Sequence, residues 1–517
     1  MLASKIPATV LALCATVTVA VQPIEIQGSD FVNPTTGDRF QLLGVAYQPG
    51  GASGYKPSSG VDPLSDGAVC LRDAALMQKL GVNAIRVYNV DGSLNHDECA
   101  SIFNEVGIYM LIDVNSPLIG ESIDRSAPWT TYDVSYLERT FAVVEAFKDY
   151  PNTLLFFAGN EVINDDDTGK TVGPYMRAVT RDLKNYIANH SSRSIPVGYS
   201  AADVRDILDD TWNYLQCTTT KDDTDPSRVD LFALNSYSWC GDSSYTTSGY
   251  DTIVASFTNT SVPVFFSEYG CNVPAPRVFT EVPVLYGPLM TPVLSGGMVY
   301  EFSQETSNYG LVTINDDGSA ELLSDYNTLQ TQLNALDVAS IQGQKARNTT
   351  TVAPVCHESL ITSPNFSKSW TIPDVPPGAA DVIKNGIKNP NNGKIVSVKN
   401  TKVTQKVTDA AGKTVSNLAI KPLANDESNS PSGETTGSKA TSSSSSSSSA
   451  SSSASASASV SASASASASS SSSSSSSATG AATGSSSTAT TDKSSAARKI
   501  EGSMIVLAAM LGLGLLL

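Results

Sequence analysis

Eight short apolar runs, each followed by a longer amphipathic stretch, constrain the fold of this 517-residue chain more than any other feature. Between Ile24 and about Leu336 they read FQLLGVAYQ, VNAIRVYNV, GIYMLIDVN, TLLFFAGNE, SIPVGYSAA, VDLFALNSYSW, VPVFFSEYG and GGMVYEFSQ. Each is β-branched or aromatic and lacks strict alternation, the pattern of a parallel strand buried on both faces. The stretches between them predict helices. Cys70 to Gly81 carries Leu71, Ala74, Ala75, Met77 and Leu80 near helical spacing and closes on a glycine. Strands alternating with helices in this number predict an α/β fold, a (β/α)8 TIM barrel. A doubly wound open sheet would need a Gly-rich phosphate loop after its first strand, and VAYQPGGASG lacks the GxGxxG form.

In a barrel, polar residues at the C-terminal ends of the strands line the functional mouth. Here the runs end on Gln48, Tyr88, Asp113, Asn160 with Glu161, Ser200, Tyr237, Glu268, and Tyr300 with Glu301. A ring of phenols, amides and carboxyls suits a sugar chain better than a phosphate or a hydride donor. Glu161 closes the fourth run and Glu268 the seventh, so both project over the mouth from opposite sides. Retaining glycosidases hold two carboxyls about 5 Å apart, one as acid/base and one as nucleophile. Two unit charges at that distance and an effective dielectric near 20 repel by roughly 3 kcal/mol, so one carboxyl keeps its proton. Asn160 can bind a hydroxyl beside the reacting carbon, and Tyr300 can hold Glu268. Glu161 is therefore expected as acid/base and Glu268 as nucleophile. A lone glutamate at a strand end is ordinarily just a charge paired with an arginine; two at the fourth and seventh runs argue against that. Arg86, on the second run, either orients a carboxylate or forms a core salt bridge.

The ends of the chain speak of export. Residues 1–20 have one lysine, an apolar run and small closing residues, a secretory signal cleaved after Ala20. The run Met504 to Leu517 would reach about 21 Å as a helix, short of the roughly 30 Å of hydrocarbon. Small residues, a polar spacer and this tail form a glycosylphosphatidylinositol (GPI) signal, with Ser494 the expected attachment residue. Ser442 to Ala478 is Ser and Ala apart from Val460, too poor in apolar surface to fold, and reads as a glycosylated stalk. Sequons for N-glycosylation stand at Asn189, Asn259, Asn348 and Asn365. Cys14 leaves with the signal. Cys70, Cys99, Cys217, Cys240, Cys271 and Cys356 remain, for three disulfides among fifteen possible pairings. With no CxxC and three histidines, no metal is expected, and no cofactor either. A net charge of −17 excludes nucleic acid as a partner.

The motifs GNEV and FFSEYGC, with VAYQPGG, IRVYNVD, LIDVNSP, NSYSWCG and GGMVYEFSQE, resemble the fungal cell-wall β-1,3-glucanosyltransferases of glycoside hydrolase family 72. The resemblance covers about residues 22 to 360 and extends to the stalk and anchor. It implies a GPI-anchored enzyme that cuts β-1,3-glucan internally and joins the new end to another chain. Glu161 and Glu268 would be catalytic, and Gln48, Tyr88, Asp113, Asn160, Tyr237 and Tyr300 would contact sugar. It also implies pairing of Cys70 with Cys99, Cys240 with Cys271, and Cys217 with Cys356. No cysteine follows Cys356, so the cysteine-rich carbohydrate module of some members is missing. The segment Ser367 to Leu423 is expected instead as a small β appendage. The expected organisation is signal 1–20, barrel 21–340, extension 341–430, stalk 431–494 and GPI propeptide 495–517, in a monomer at the cell surface with β-1,3-glucan as donor and acceptor. An endo-β-1,3-glucanase needs the same two glutamates, and a non-catalytic glucan-binding wall protein is the rival from another class. Tyr300, Tyr309 and the region of Trp239 are candidates for the acceptor subsite that would favour transfer.

Overall fold

In the computed structural model, residues 21–436 are described, apart from 221–223, 348, 425–426, 430 and 432–434. The expectations for the signal, for Asn348 and for the chain beyond residue 436, Ser494 included, lie outside the described residues.

Eight parallel strands close into a barrel in chain order. They are β1 (Leu42–Ala46), β2 (Ala84–Val87), β3 (Tyr109–Asp113), β4 (Thr153–Asn160), β5 (Val197–Ala202), β6 (Leu231–Ser236), β7 (Val264–Tyr269) and β8 (Leu294–Val299). Strand β8 pairs with β7 on one side and with β1 on the other, which leaves no barrel edge unpaired. Each of the eight apolar runs supplies one strand. Around them lie α1 (Gly67–Leu80), α2 (Asp97–Glu105), α3 (Val134–Phe147), α4 (Gly173–His190), α5 (Arg205–Gln216), α6 (Tyr250–Phe257) and α7 (Ser324–Asn334). Helix α1 starts three residues before the expected Cys70. The Asp66 carboxylate accepts from the N–H groups of Ala68 and Val69, so the cap, and not the first inward-facing residue, sets the boundary. Gly81, at φ 77°, ends it as expected.

The barrel interior changes character along its axis. Its lower end is apolar, filled by Leu42, Ala84, Leu154, Leu231, Phe265 and Met298. A hairpin of Glu25–Gln27 and Asp30–Val32 closes it from below, with the Phe31 ring edge-on to Phe265 at 5.9 Å. Space there is tight: a Cβ at Gly44 would lie 2.2 Å from the Met298 sulfur. Toward the strand C-termini the inward residues become Arg86, Ser200, Asn235 and Ser267, all buried. The apolar plug supports a polar floor beneath the mouth.

Three disulfides join Cys70 to Cys99, Cys217 to Cys356 and Cys240 to Cys271, the pairs the resemblance implies. The first ties α1 to α2. The second holds the start of the C-terminal extension against the end of α5.

That extension is mostly a strap. Only Val407–Thr408 forms a strand in its middle, beside Ala320–Leu322 in a three-stranded sheet with Val312–Ile314. Elsewhere its backbone bonds to side chains of the barrel helices: Lys394 N–H donates to Asp97 at 2.8 Å, and Val396 N–H to Ser101 Oγ at 2.8 Å. Trp370 stacks on Tyr214 of α5 with centroids 5.4 Å apart, and the Tyr214 hydroxyl donates to the Ser369 carbonyl at 2.7 Å. At the far end Asn429 donates to the carbonyls of Val82 and Val106, which precede β2 and β3. The strap therefore ends at the lower face, away from the mouth.

Replacing Trp370 with Ala removes this stack and part of an aromatic burial, which is worth about 2 kcal/mol. The urea midpoint of the secreted protein should fall accordingly, with the denaturant slope unchanged.

Candidate active site

The site is built on Arg86, whose guanidinium is fully buried at the level of the polar floor. It makes a two-bond fork with Asp113 at the end of β3, Nε to Oδ2 at 2.9 Å and Nη2 to Oδ1 at 3.1 Å. Nη2 also donates to Asn160 Oδ1 at 3.0 Å, and Nη1 to Glu268 Oε1 and Asn235 Oδ1, each at 3.2 Å. The guanidinium lies 4.5 Å from the ring centroid of Tyr88 and 4.7 Å from that of Phe157. One cation thus joins side chains from β3, β4, β6 and β7. It orients a carboxylate and forms a core salt bridge at once.

Glu268, on β7, is buried and gripped by three donors. Its Oε1 accepts from the Tyr88 hydroxyl at 2.9 Å as well as from Arg86, and its Oε2 from the Tyr237 hydroxyl at 2.6 Å. Burial pushes its pKa up to about 7; Arg86 opposes this, the charge of Glu161 adds to it, and the two phenols oppose it. Burial also holds the phenols of Tyr88, Tyr237 and Tyr300 far above their usual range, so they stay protonated; Tyr88 and Tyr237 donate to Glu268, whereas Tyr300, expected to hold it, makes no hydrogen bond to it. The three donors to Glu268 offset part of the rise in its pKa and give both oxygens of the carboxylate a partner.

Glu161 follows β4 directly, with φ 49°, a left-handed conformation that costs a glutamate strain energy. Its N–H donates to the Ser200 carbonyl at 2.8 Å, which carries the ladder to β5 one residue past the strand. Its Oε1 accepts from Asn235 Nδ2 at 2.9 Å. Asn160 Oδ1 accepts from Arg86, Ser200 and Asn235, and among the described residues no acceptor meets its Nδ2. Gln48 is buried beyond β1, and its Nε2 also has no partner among the described residues. Two amide donors therefore face the mouth with nothing to bond, a condition a hydroxylated ligand relieves.

The structure brings Gln48, Tyr88, Asp113, Asn160, Glu161, Tyr237, Glu268 and Tyr300 to the C-terminal end of the barrel. Both oxygens of Asp113 are committed to Arg86. Tyr309 joins them: its ring lies 5.5 Å from Tyr237 and 5.4 Å from Tyr300. Trp239 does not, being buried against Tyr250 with its indole N–H on Thr280. Asn235 and Ser267 were missed in the sequence. Asn235 is the link between the two glutamates, and its only signal is an amide inside the apolar run LFALNS. Glu301, after Tyr300, is buried beside Glu305. Burial first, and Glu305 second, push its pKa up to about 9, so it is neutral at ordinary pH.

Of the sequon asparagines among the described residues, Asn189, Asn259 and Asn365 are all exposed, and Asn189 also donates its amide to the Ile383 carbonyl of the strap at 3.0 Å.

A family model described as Glucanosyltransferase, of glycoside hydrolase family 72, matches residues 13–337. The chain is 54% identical over 423 residues to 1,3-beta-glucanosyltransferase gel2 of Aspergillus fumigatus, covering 82% of this chain and 88% of that one. It is 45% identical over 396 residues to the probable 1,3-beta-glucanosyltransferase GAS3 of Saccharomyces cerevisiae, covering 73% and 75%. Among solved structures, Saccharomyces cerevisiae Gas2p in complex with laminaritetraose and laminaripentaose superposes with a TM-score of 0.60 at 35% identity, over 69% of this chain and 75% of that one.

Two outcomes follow from the electrostatics. Tyr237→Phe removes a donor that lowers the Glu268 pKa, so that pKa rises by about one unit, the worth of a hydrogen bond to a charged group. If Glu268 acts as an anion, kcat/KM falls as pH drops through its pKa, and the acid limb of the variant's profile moves to higher pH. Glu301→Gln mimics the neutral acid, so activity stays near the parent's. In the parent, Glu301 is protonated when folded and ionised when unfolded across the window from 4.5 to about 9. That stability contribution is present below the window and fades as pH rises through it. Urea unfolding at several pH values should show the glutamine variant free of this part of the decline.

Proposed function

The chain belongs to the glucanosyltransferase family, glycoside hydrolase family 72, and is a 1,3-β-glucanosyltransferase; on that premise we propose that Glu268 is its nucleophile and Glu161 its acid/base. The observation that carries this assignment is the asymmetry in donors. Three donors grip both oxygens of Glu268, aimed from β7, and fix it for attack, whereas Glu161 accepts from Asn235 at Oε1 alone and, among the described residues, no donor meets its other oxygen, which leaves it open to the departing oxygen.

In the first step a Glu268 oxygen attacks the anomeric carbon of a β-1,3-linked glucosyl unit. Glu161 gives its proton to the departing 3-oxygen, which leaves as the new end of the released fragment. The glycosyl ester on Glu268 is covalent and neutral, so the repulsion between the two carboxylates is absent at this stage. In the second step Glu161 takes the proton from the 3-hydroxyl of an acceptor chain's non-reducing end. That oxygen attacks the anomeric carbon, expels Glu268 and restores a β-1,3 bond with two inversions, hence retention. Arg86, with Asp113, is a positioning residue: it holds Glu268 and, through Asn160 and Asn235, the acid/base as well. The Asn160 amide suits the hydroxyl next to the reacting carbon, and Gln48 a further hydroxyl. Tyr88, Tyr237 and Tyr300 supply an apolar wall for a sugar face.

Laminaritetraose and laminaripentaose are the oligosaccharides held by the Gas2p structure. β-1,3-Glucan is accordingly the donor and acceptor proposed for this chain. The family is one of fungal cell-surface enzymes. The finer location is a secreted protein with a signal at 1–20, a barrel at 21–340, an extension at 341–430 and a stalk at 431–494. It would be held to the plasma membrane through a lipid on Ser494 after loss of 495–517, with passage to the wall open to it. Glycans are proposed on Asn259, Asn348 and Asn365. At Asn189 one would have to displace the contact with Ile383.

Glu161→Gln should bind laminari-oligosaccharides as the parent does and lose about 10²–10⁴-fold in turnover, the range for a lost general acid/base. Calorimetry and chromatography of products check this. Turnover retained within a few fold would assign the proton transfer to another group. Products only shorter than the starting chain would make the catalyst a hydrolase.

A further inference from the structure

Two carboxyls that the mechanism does not use, those of Glu301 and Glu305, lie together on the loop after β8. Glu301 directly follows Tyr300 and is 3% exposed, and Glu305 is half-buried. The two side chains are within hydrogen-bond reach of each other. Among the described residues no cation pairs with either, and Glu301 Oε1 is met only by the Ser307 hydroxyl, at 3.5 Å. Two adjoining carboxylates taken out of water repel and lose their hydration, so such a pair keeps a proton. We propose that Glu301 is a positioning residue of the mouth: as a neutral acid it donates to Glu305 and ties the β8 loop, with Tyr300 and Tyr309, to the β1 loop, with Gln48.

Three features carry the assignment. The first is the contact between the loops. Gly51 stands three residues after Gln48, and a Cβ there would lie 2.2 Å from Glu305 Cδ and 2.5 Å from both its oxygens. Only a glycine lets the carboxyl rest on this turn. The Gly51 N–H in turn donates to the Gln48 carbonyl at 2.8 Å, so the turn that receives Glu305 also sets Gln48.

The second is the rigidity of the β8 loop. The Glu301 N–H donates to the Tyr309 carbonyl at 3.0 Å, and the Glu301 carbonyl accepts from the Leu311 N–H at 3.1 Å. Arg277 gives Nη1 to the Tyr300 carbonyl at 2.7 Å, Nη2 to the Tyr309 carbonyl at 2.6 Å and Nε to Asp325 at 2.7 Å. None of these N–H groups goes to the acid pair. The loop thus moves as one piece, and where Glu301 is held decides where both phenol rings stand.

The third is the charge around the pair. Glu301 is faced by Glu305 on its own loop, by Glu268 from β7 and by the phenols of Tyr300 and Tyr309, while the β1 loop brings only the uncharged Gly51. Every ionised group that faces Glu301 is therefore an anion, which keeps the proton on the pair. Once that proton is lost, two anions meet at the contact and drive the loops apart.

The inference rests on glucan as the substrate of the mouth, so the test uses the full secreted chain carrying Glu161→Gln, in which binding is read without turnover. Its affinity for laminaripentaose is measured by calorimetry between pH 6 and 10. Ionisation of Glu268 near pH 7 affects every variant alike. With the Glu301 pKa pushed up to about 9, the competent fraction falls to about a tenth at pH 10, so binding should weaken about tenfold from pH 8. Glu301→Gln donates at every pH, and Glu305→Gln can donate to an ionised Glu301. Each should bind within about twofold of the parent at pH 8 and abolish the decline. Glu301→Leu has no donor and should bind about tenfold more weakly already at pH 8, as the loss of one hydrogen bond allows. A parent whose affinity stays flat to pH 10, a decline retained in both glutamine variants, or parental affinity in the leucine variant overturns the tie and leaves the mouth intact. Failure of the Glu161→Gln parent to bind at pH 8 overturns both readings.

Discussion

The buried guanidinium of Arg86 is the interaction on which the mouth depends. A cation taken into the interior costs several kcal/mol unless it is paired and hydrogen-bonded. Here Asp113 supplies the pairing through a two-bond fork, and the remaining N–H groups reach Asn160, Asn235 and Glu268. Satisfying one charge therefore fixes the side chains at the ends of four strands. A lysine there would keep the charge but lose the planar fork, and with it the simultaneous hold on Asp113 and Glu268. Removing the charge altogether would leave two carboxylates in a low-dielectric floor, which is the more damaging change.

That polar floor is tolerable because the rest of the barrel is not polar. The lower interior is filled by apolar side chains and closed by the N-terminal hairpin, so it holds the eight strands without using any group of the mouth. The strap adds contacts outside the barrel, from Trp370 on α5 to Asn429 near the starts of β2 and β3. Stability is concentrated away from the catalytic end. The strain of Glu161 in a left-handed conformation can persist there because the structure below and around it over-determines the position.

Much of this was legible in the sequence, and the reasons for what was not are physical. The eight strands show because a parallel strand buried on both faces must be a near-continuous apolar run. Glu161 and Glu268 show because two carboxylates at the ends of the fourth and seventh runs point to chemistry where a lone one would read as an ion pair. Asn235 and Ser267 do not show, because their importance arises only when barrel closure sets β6 and β7 side by side. Helix α1 began early because its start depends on a capping carboxylate rather than on apolar spacing. The small β appendage expected from the Val/Thr-rich composition is present where Val407–Thr408 joins the sheet of Ala320–Leu322 and Val312–Ile314. Around Lys394 and Val396 the backbone N–H groups find side chains on α2 instead, and no local pattern reports a partner some 300 residues away. Arg277 was silent for a similar reason, since its role lies in carbonyls of Tyr300 and Tyr309 brought near it by the fold.

The tyrosine wall also bears on why a sugar, and not water, completes the reaction. Once the glycosyl ester has formed, any hydroxyl within reach of Glu161 can resolve it, and water is the more abundant. An acceptor held in line can reach an effective molarity of about 10⁵ M or more, which exceeds the concentration of liquid water by orders of magnitude. Transfer therefore requires a surface that binds a sugar ring and is poor at holding water. Tyr88, Tyr237, Tyr300 and Tyr309 meet edge-to-face around the Glu268 carboxyl and present ring faces and edges rather than charges. Burial keeps their hydroxyls neutral, and two of them are already spent on Glu268, so they offer water little in its place. The same phenols that stabilise the nucleophile as an anion thus also tilt the second step toward a sugar hydroxyl, and one wall serves both halves of the exchange.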